Sequence, residues 1–261
     1  MIVGFDFINF ISVVLPPFLY AWIIYLSSPY KSLSIRDSSK FLLGGIFSVT
    51  LLTLISFSFP YWNSYYFSDP FWGSFWATAP KEELSKFLMF LIVYKGLNDH
   101  KNLHPITYMF YFGMIGLGFA LIENISYVYR YGPYVLKFRT FGAVFVHMIC
   151  GLLFGYWLGM SKIKKSKFSL RTISSIFLSS RPRIKIFLYS LIGIITASCF
   201  HGLWNYHLNV WGAYSTPFSI LLLMVGFLSC KILSRDLINQ YQKSIKVEAM
   251  ESRIDKDLDK I

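Results

Sequence analysis

With 261 residues, 55% of them hydrophobic and only 15% charged, and a mean hydropathy of +0.50, the chain is not an ordinary soluble domain, in which about 25% of residues are charged. The formal net charge of +12 invites a nucleic-acid reading, but no groove-reading motif is present. Eight of the cations (Lys162, Lys164, Lys165, Lys167, Arg171, Arg181, Arg183 and Lys185) fall between two apolar runs, where a basic loop is a topology signal and a contact for anionic headgroups, so the expected partner is a lipid bilayer and not nucleic acid.

Seven apolar segments follow one another, each of bilayer-crossing length. The first, near 7–26, contains Pro16 and Pro17, which are expected to kink it. After the second, 41–59, come Tyr61, Trp62, Tyr65, Tyr66, Trp72 and Trp76, a composition that suits an interfacial belt. The third, 73–97, is broken by Lys81, Glu82, Glu83 and Lys86. The fourth, 105–128, carries Gly113, Gly116 and Gly118. The fifth, 140–160, reads His147-x3-Gly151-x3-Gly155-x3-Gly159, a small-residue ladder that admits a close neighbouring helix. The sixth, 185–206, and seventh, 217–233, complete an all-α polytopic bundle over 1–233, with 234–261 expected as a mixed-charge cytoplasmic helical tail.

Loop charge sets the orientation. Lys31, Arg36 and Lys40 follow the first span, Lys95 and Lys101 the third, and the eight-cation stretch the fifth, whereas the loops after the second and sixth spans hold no Lys or Arg. Arg130, Lys137 and Arg139 blur the pattern after the fourth span. The positive-inside rule then puts the N-terminus outside and the C-terminus inside, in the plasma membrane. Asp6, and no basic stretch before the first apolar run, argue against a cleavable signal. Cys150, Cys199 and Cys230 all lie in spans, an odd number that is no disulfide framework and reads as small buried hydrophobes.

Glu82, Glu83, Glu123, His147 and His201 stand inside the spans. At about 2.5–3.5 kcal/mol per acid, the three glutamates oppose insertion by roughly 7 kcal/mol or more before compensation, so they are expected to face a bundle interior or a watery cavity. Counted from the predicted outer ends, all five, with Asn205, fall within roughly 15 Å of the outer surface at about 1.5 Å per residue. Polar groups at one depth on four helices predict a shared pocket. Glu82 lies four residues before Lys86 and Glu83 three, so either carboxylate is within helical reach of the ammonium. His201 and Asn205 are four apart and share a face. His100, His104 and His207 lie near span ends and are expected at the surface.

The strings KEELSK, GFALIEN, VHMICG and HGLWN carry Glu82-Glu83-x2-Lys86, Phe119-x3-Glu123-Asn124, His147 and His201-x3-Asn205 in order on successive spans. In this they resemble the PrsW-type membrane proteases, part of the wider superfamily of CAAX prenyl endopeptidases and bacteriocin-processing membrane proteins. The resemblance covers 73–207. Glu123 stands four after Phe119 where the CAAX branch has a histidine, and Lys86 stands where that branch has an arginine one residue further on. Both departures favour the PrsW branch.

The resemblance implies endoproteolysis of a membrane-tethered protein, an anti-sigma factor in PrsW-type enzymes, cut near the outer face. Glu82 or Glu83 would be the general base, and His201 with Asn205 would stabilise the oxyanion. His147 and Glu123 would orient water or bind metal, with Lys86, Phe119 and Asn124 in support. Metal dependence stays open. His147 and His201 with Glu83 or Glu123 could make a zinc site with one open position, though no H-E-x-x-H is present. Cys150, three after His147, offers a thiol-nucleophile alternative. The rival class is a proton- or ion-coupled transporter using the same residues as a relay, which predicts polar groups in both leaflets.

Overall fold

The structure is a computed structural model, and it describes residues 7–28, 33–64, 68–97, 103–136, 139–163, 182–212 and 216–258. Asp6, Lys31, Tyr65, Tyr66, His100, Lys101, Lys137, Lys164, Lys165, Lys167, Arg171 and Arg181 lie outside the described residues.

Helix α1 (Phe7–Ser27) runs through Pro16 and Pro17, both buried. Helix α2 (Ile35–Ser58) opens on Ser34, whose hydroxyl accepts from the Asp37 amide at 3.0 Å and satisfies one orphan donor of the first turn. Two short helices follow, α3 (Pro60–Ser64) and α4 (Pro70–Trp72). A π-helical stretch, Gly73–Thr78, leads into α5 (Ala79–Lys95). Helix α6 (Pro105–Tyr131) starts with proline at its first position, where no amide is needed, and stops at Gly132 with φ 85°. A second π-helical stretch, Arg139–Ala143, leads into α7 (Val144–Lys162). Helix α8 is Pro182–Trp211 and α9 is Thr216–Leu258.

Six of these helices are long and apolar enough to cross a membrane. The expected third span is the exception. It is helical from Gly73 to Lys95, but Lys81, Glu82, Glu83 and Lys86 lower its hydropathy, and all four are buried. Its charges face protein, which is how a helix of that composition sits among apolar neighbours.

The bundle is built around α6 and α7, whose apolar windows are 89% and 72% buried against 22% for α1 and α2. Glycine makes that core possible. A methyl group on Gly116 would collide with the His147 carbonyl, one on Gly151 with that of Phe112, and one on Gly155 with that of Tyr108. The same holds between α2 and α6, where Gly45 faces the Ile115 carbonyl and Gly118 that of Leu42. The small-residue ladder expected on the fifth span therefore does what such ladders do, and brings two backbones into contact.

Helix α9 continues unbroken from the seventh span into the expected tail. Leu237 is fully buried, Tyr156 donates its hydroxyl to Asp236 at 2.8 Å, and Tyr241 meets the His104 ring edge-on at 4.4 Å. Two surface expectations are corrected here. His207 is fully buried, because its ring packs against Trp204 of α8 and Phe218 of α9 and pairs with the Ser219 hydroxyl at 2.8 Å. His104 is half-buried and caps α6, its Nδ1 accepting from the Ile106 amide at 3.2 Å. Of the cysteines, Cys150 and Cys230 are buried, but Cys199 is exposed on α8, on a face that other apolar side chains such as Leu191 and Ile195 also leave uncovered.

Candidate active site

The site is assembled on α5, α6, α7 and α8. Glu83 and Lys86, one turn apart on α5, have no exposed side-chain surface and pair at 2.7 Å. Of the two carboxylates in helical reach of Lys86, Glu83 is the one that binds it. The ammonium also contacts His147 Nδ1 at 3.0 Å. An ammonium can only donate, so Nδ1 accepts and the ring proton lies on Nε2. Nε2–H then donates to Glu123 Oε2 at 2.8 Å.

His201 reaches the same centre from α8. Its Nδ1–H donates to Glu83 Oε1 at 2.9 Å, and its Nε2 faces Glu82 Oε2 at 3.6 Å. The His147 and His201 rings meet edge to face, 4.8 Å between centroids. Phe119 closes one side, its ring 4.3 Å from Lys86 Nζ and 5.1 Å from the His147 ring. Cation–aromatic attraction of that kind lowers the cost of burying the ammonium.

Beyond Glu123 the network takes in Arg139, which by its place in the sequence is only a loop charge. Its Nη2 donates to Glu123 Oε2, its Nε donates to Asn124 Oδ1 at 3.0 Å, and its guanidinium lies 3.5 Å from the Tyr127 ring centroid. The result is one continuous chain, Arg139–Glu123–His147–Lys86–Glu83–His201, with Glu82 at its far end. The sequence did carry a signal for Arg139: it belongs to the one loop whose charge broke the alternation.

Glu82, at one end of this chain, and Glu123, next to the other, both border one cleft of about 430 Å3 between α2, α5 and α6. Its walls include Leu52, Thr53 and Ser56 from α2, Lys81 and Glu82 from α5, and Glu123, Ser126 and Arg130 from α6.

Asn205, one turn beyond His201, is half-buried and bonds none of the cluster among the described residues. Cys150 is fully buried, its thiol directed at the Ala197 carbonyl at 3.6 Å, and does not line the cleft.

Among the described residues, two sets of side chains bring possible metal-ligand atoms within 4.8 Å of one another, Glu82–His147–His201 and Glu83–Cys150–His201. The second set has Lys86 paired to its carboxylate, which opposes a cation there. The first set fits. Glu82 Oε2 is buried without a hydrogen-bond partner among the described residues. It faces the lone pair of His201 Nε2 at 3.6 Å. Two acceptors so placed call for a proton or a cation between them, and the gap matches two ligands each about 2.0–2.2 Å from one zinc. The carboxylate in this set is Glu82, while Glu83 falls in the other set and Glu123 in neither.

Comparison with known proteins comes down to one family. Residues 39–230 match the PrsW family intramembrane metalloproteases. Among curated proteins, Protease PrsW of Bacillus subtilis (strain 168) is 27% identical over 154 residues, 58% of this chain and 62% of the relative. Protease PrsW of Shouchella clausii (strain KSM-K16) is 28% identical over 160 residues, 59% of this chain and 64% of the relative. The chain thus aligns with less than two thirds of the length of either relative. No solved structure matches significantly.

Proposed function

The chain belongs to the PrsW family, and on that premise we propose that it is an intramembrane endopeptidase cutting a membrane-tethered, anti-sigma-factor-like protein near the outer face. The observation that carries this reading is the polar chain across four helices, two of whose carboxylates, Glu82 and Glu123, border one cleft. A substrate segment in that cleft lies between two carboxylates, with water drawn to the polar groups and lipid held off by α2.

Glu82 is the general base. Both glutamates have an Oε2 without a hydrogen bond among the described residues, but Glu83 is held by Lys86 and His201 through Oε1 and does not line the cleft, whereas Glu82 does. It accepts a proton from the attacking water and returns it to the departing amine. Glu83 turns His201 by accepting from Nδ1, which leaves Nε2 beside Glu82, where water would sit. Lys86 fixes the His147 tautomer, and His147 with Arg139 holds Glu123 at the opposite wall. Glu82 and His201, with His147 once its Nε2 proton is lost, would hold a zinc ion, and such an ion, when bound, would supply Lewis-acid activation of water or carbonyl.

Against the transporter reading weighs an aromatic plug two turns below the cluster. Phe112 stacks on Phe154 at 4.3 Å and on Phe90 at 4.9 Å, and Phe87 meets Phe154 at 5.1 Å. A relay to the inner face would have to pass through it.

The test is cleavage of a tethered single-span substrate by purified protein. Glu83→Gln and His201→Ala are expected to lower turnover at least about a hundredfold, while equal cleavage by wild type and both variants refutes the site. Chelation followed by zinc addition separates the metal question: activity lost and restored supports Glu82–His147–His201 as ligands, and full activity of stringently metal-free protein removes zinc from the account.

A further inference from the structure

We propose that Arg139 is the positioning residue of this site, setting Glu123 and through it the His147 ring. Only its turnover readout rests on the peptidase reading. The guanidinium makes a two-point attachment to α6, to the Glu123 carboxylate and to Asn124 Oδ1 at 3.0 Å, while the Tyr127 ring backs it at 3.5 Å. Three of its faces are therefore fixed by consecutive turns of one helix. Such a fork is matched to arginine, since a lysine ammonium offers a point charge without the planar pair of donors.

The placement explains what the clamp does. Glu123 Oε2 receives both the Arg139 donor and His147 Nε2–H at 2.8 Å. The oxygen that orients the histidine is the one the arginine holds. Arg139 opens the π-helical stretch that leads into α7, eight residues before His147, so one stretch of chain supplies both the clamp and the ring it sets. π-Helical insertions recur at functional sites because they re-aim side chains within a helix. Arg139 itself does not line the cleft, whereas Glu123 does. Its influence on a substrate must pass through Glu123 and His147.

Without the guanidinium, the Glu123 carboxylate, with 18% of its side-chain surface exposed, keeps only the neutral imidazole as a partner. It is then free to turn into the cleft, and His147 loses the acceptor that fixes Nε2–H. A misplacement of about 1 Å at a reacting group costs on the order of a hundredfold in rate.

The test uses full-length protein in nanodiscs with 15N-labelled histidine, comparing wild type, Arg139→Ala and Arg139→Lys. In Arg139→Ala the His147 ring signals are expected to move from a fixed, Nε2-protonated position to an exchanging one. Added guanidinium should restore them, and Arg139→Lys should fall between. In the cleavage assay kcat falls about a hundredfold while KM for the tethered substrate stays within about twofold, and guanidinium recovers part of kcat. His147 signals unchanged in Arg139→Ala overturn the proposal. So does a change that neither guanidinium nor lysine reverses, since that marks a residue needed only for folding. If His147 responds as expected but wild type cleaves no substrate, the clamp stands and the peptidase reading falls.

Discussion

Lys86 has no exposed surface and sits between a carboxylate and an imidazole contributed by two different helices. Taking away one member of such a pair leaves a buried charge without compensation, at a cost of about 3–5 kcal/mol. Lys86→Met is therefore expected to lower the thermal unfolding midpoint in detergent sharply, and Glu83→Gln added to it should recover much of the loss. A Lys86→Met protein as stable as wild type contradicts the pairing. The presence of this cluster was legible in the sequence, because acids and imidazoles are expensive in apolar spans and are placed there only with partners. The pairing was not legible. Glu82 and Glu83 are both within one turn of Lys86, and the choice between them is made by His147 and His201, which arrive from distant parts of the chain. Arg139 was hidden for a related reason. A cation at a span end reads as topology until the carboxylate across from it is known, and Asn205 shows the converse, since shared helical phase with His201 did not bring it into the network.

At the scale of helices, the α6–α7 contact decides whether the site exists, because it sets Glu123 opposite His147. Gly155 lies against the Tyr108 carbonyl and the Met109 backbone, with no flexible side chain able to yield. Gly155→Leu is expected to destabilise the bundle by at least about 1–3 kcal/mol, the usual range for overpacking, and to lower activity with it. Thermal unfolding followed by circular dichroism would read this. The ladder was legible as a repeat of small residues, and the structure supplies its partner helix. The α5 segment was harder. Its charges suppress the hydropathy that marks a span, yet a continuous helix from Gly73 to Lys95 carries them into the protein interior. The π-helical stretches before α5 and α7 had no sequence signal, since nothing in composition distinguishes them from ordinary helix.

For the molecule as a whole, the expectation of about seven helical spans is met by six long apolar helices and the charged α5. Orientation rests on loop charge alone, and the most basic stretch lies largely outside the described residues. A reporter joined after Leu258 is expected to be active only in its cytoplasmic form, and a cysteine placed at Gly212 to be labelled from outside by a membrane-impermeant reagent. The reverse pattern would put the cleft on the inner side. Fold class and membrane residence followed from hydropathy, whereas the cleft between α2, α5 and α6 did not, because its α2 wall is ordinary apolar helix with Thr53 and Ser56 among the leucines. The central claim is that Glu82, at the end of the polar chain, activates water to cut a peptide bond. The most direct measurement is mass spectrometry of a tethered single-span substrate incubated with the protein in proteoliposomes in 18O water. The account predicts a new carboxyl terminus carrying one 18O, formed by wild type and reduced at least about a hundredfold by Glu82→Gln. An uncut substrate with wild type, or equal 18O-labelled product from Glu82→Gln, would contradict it.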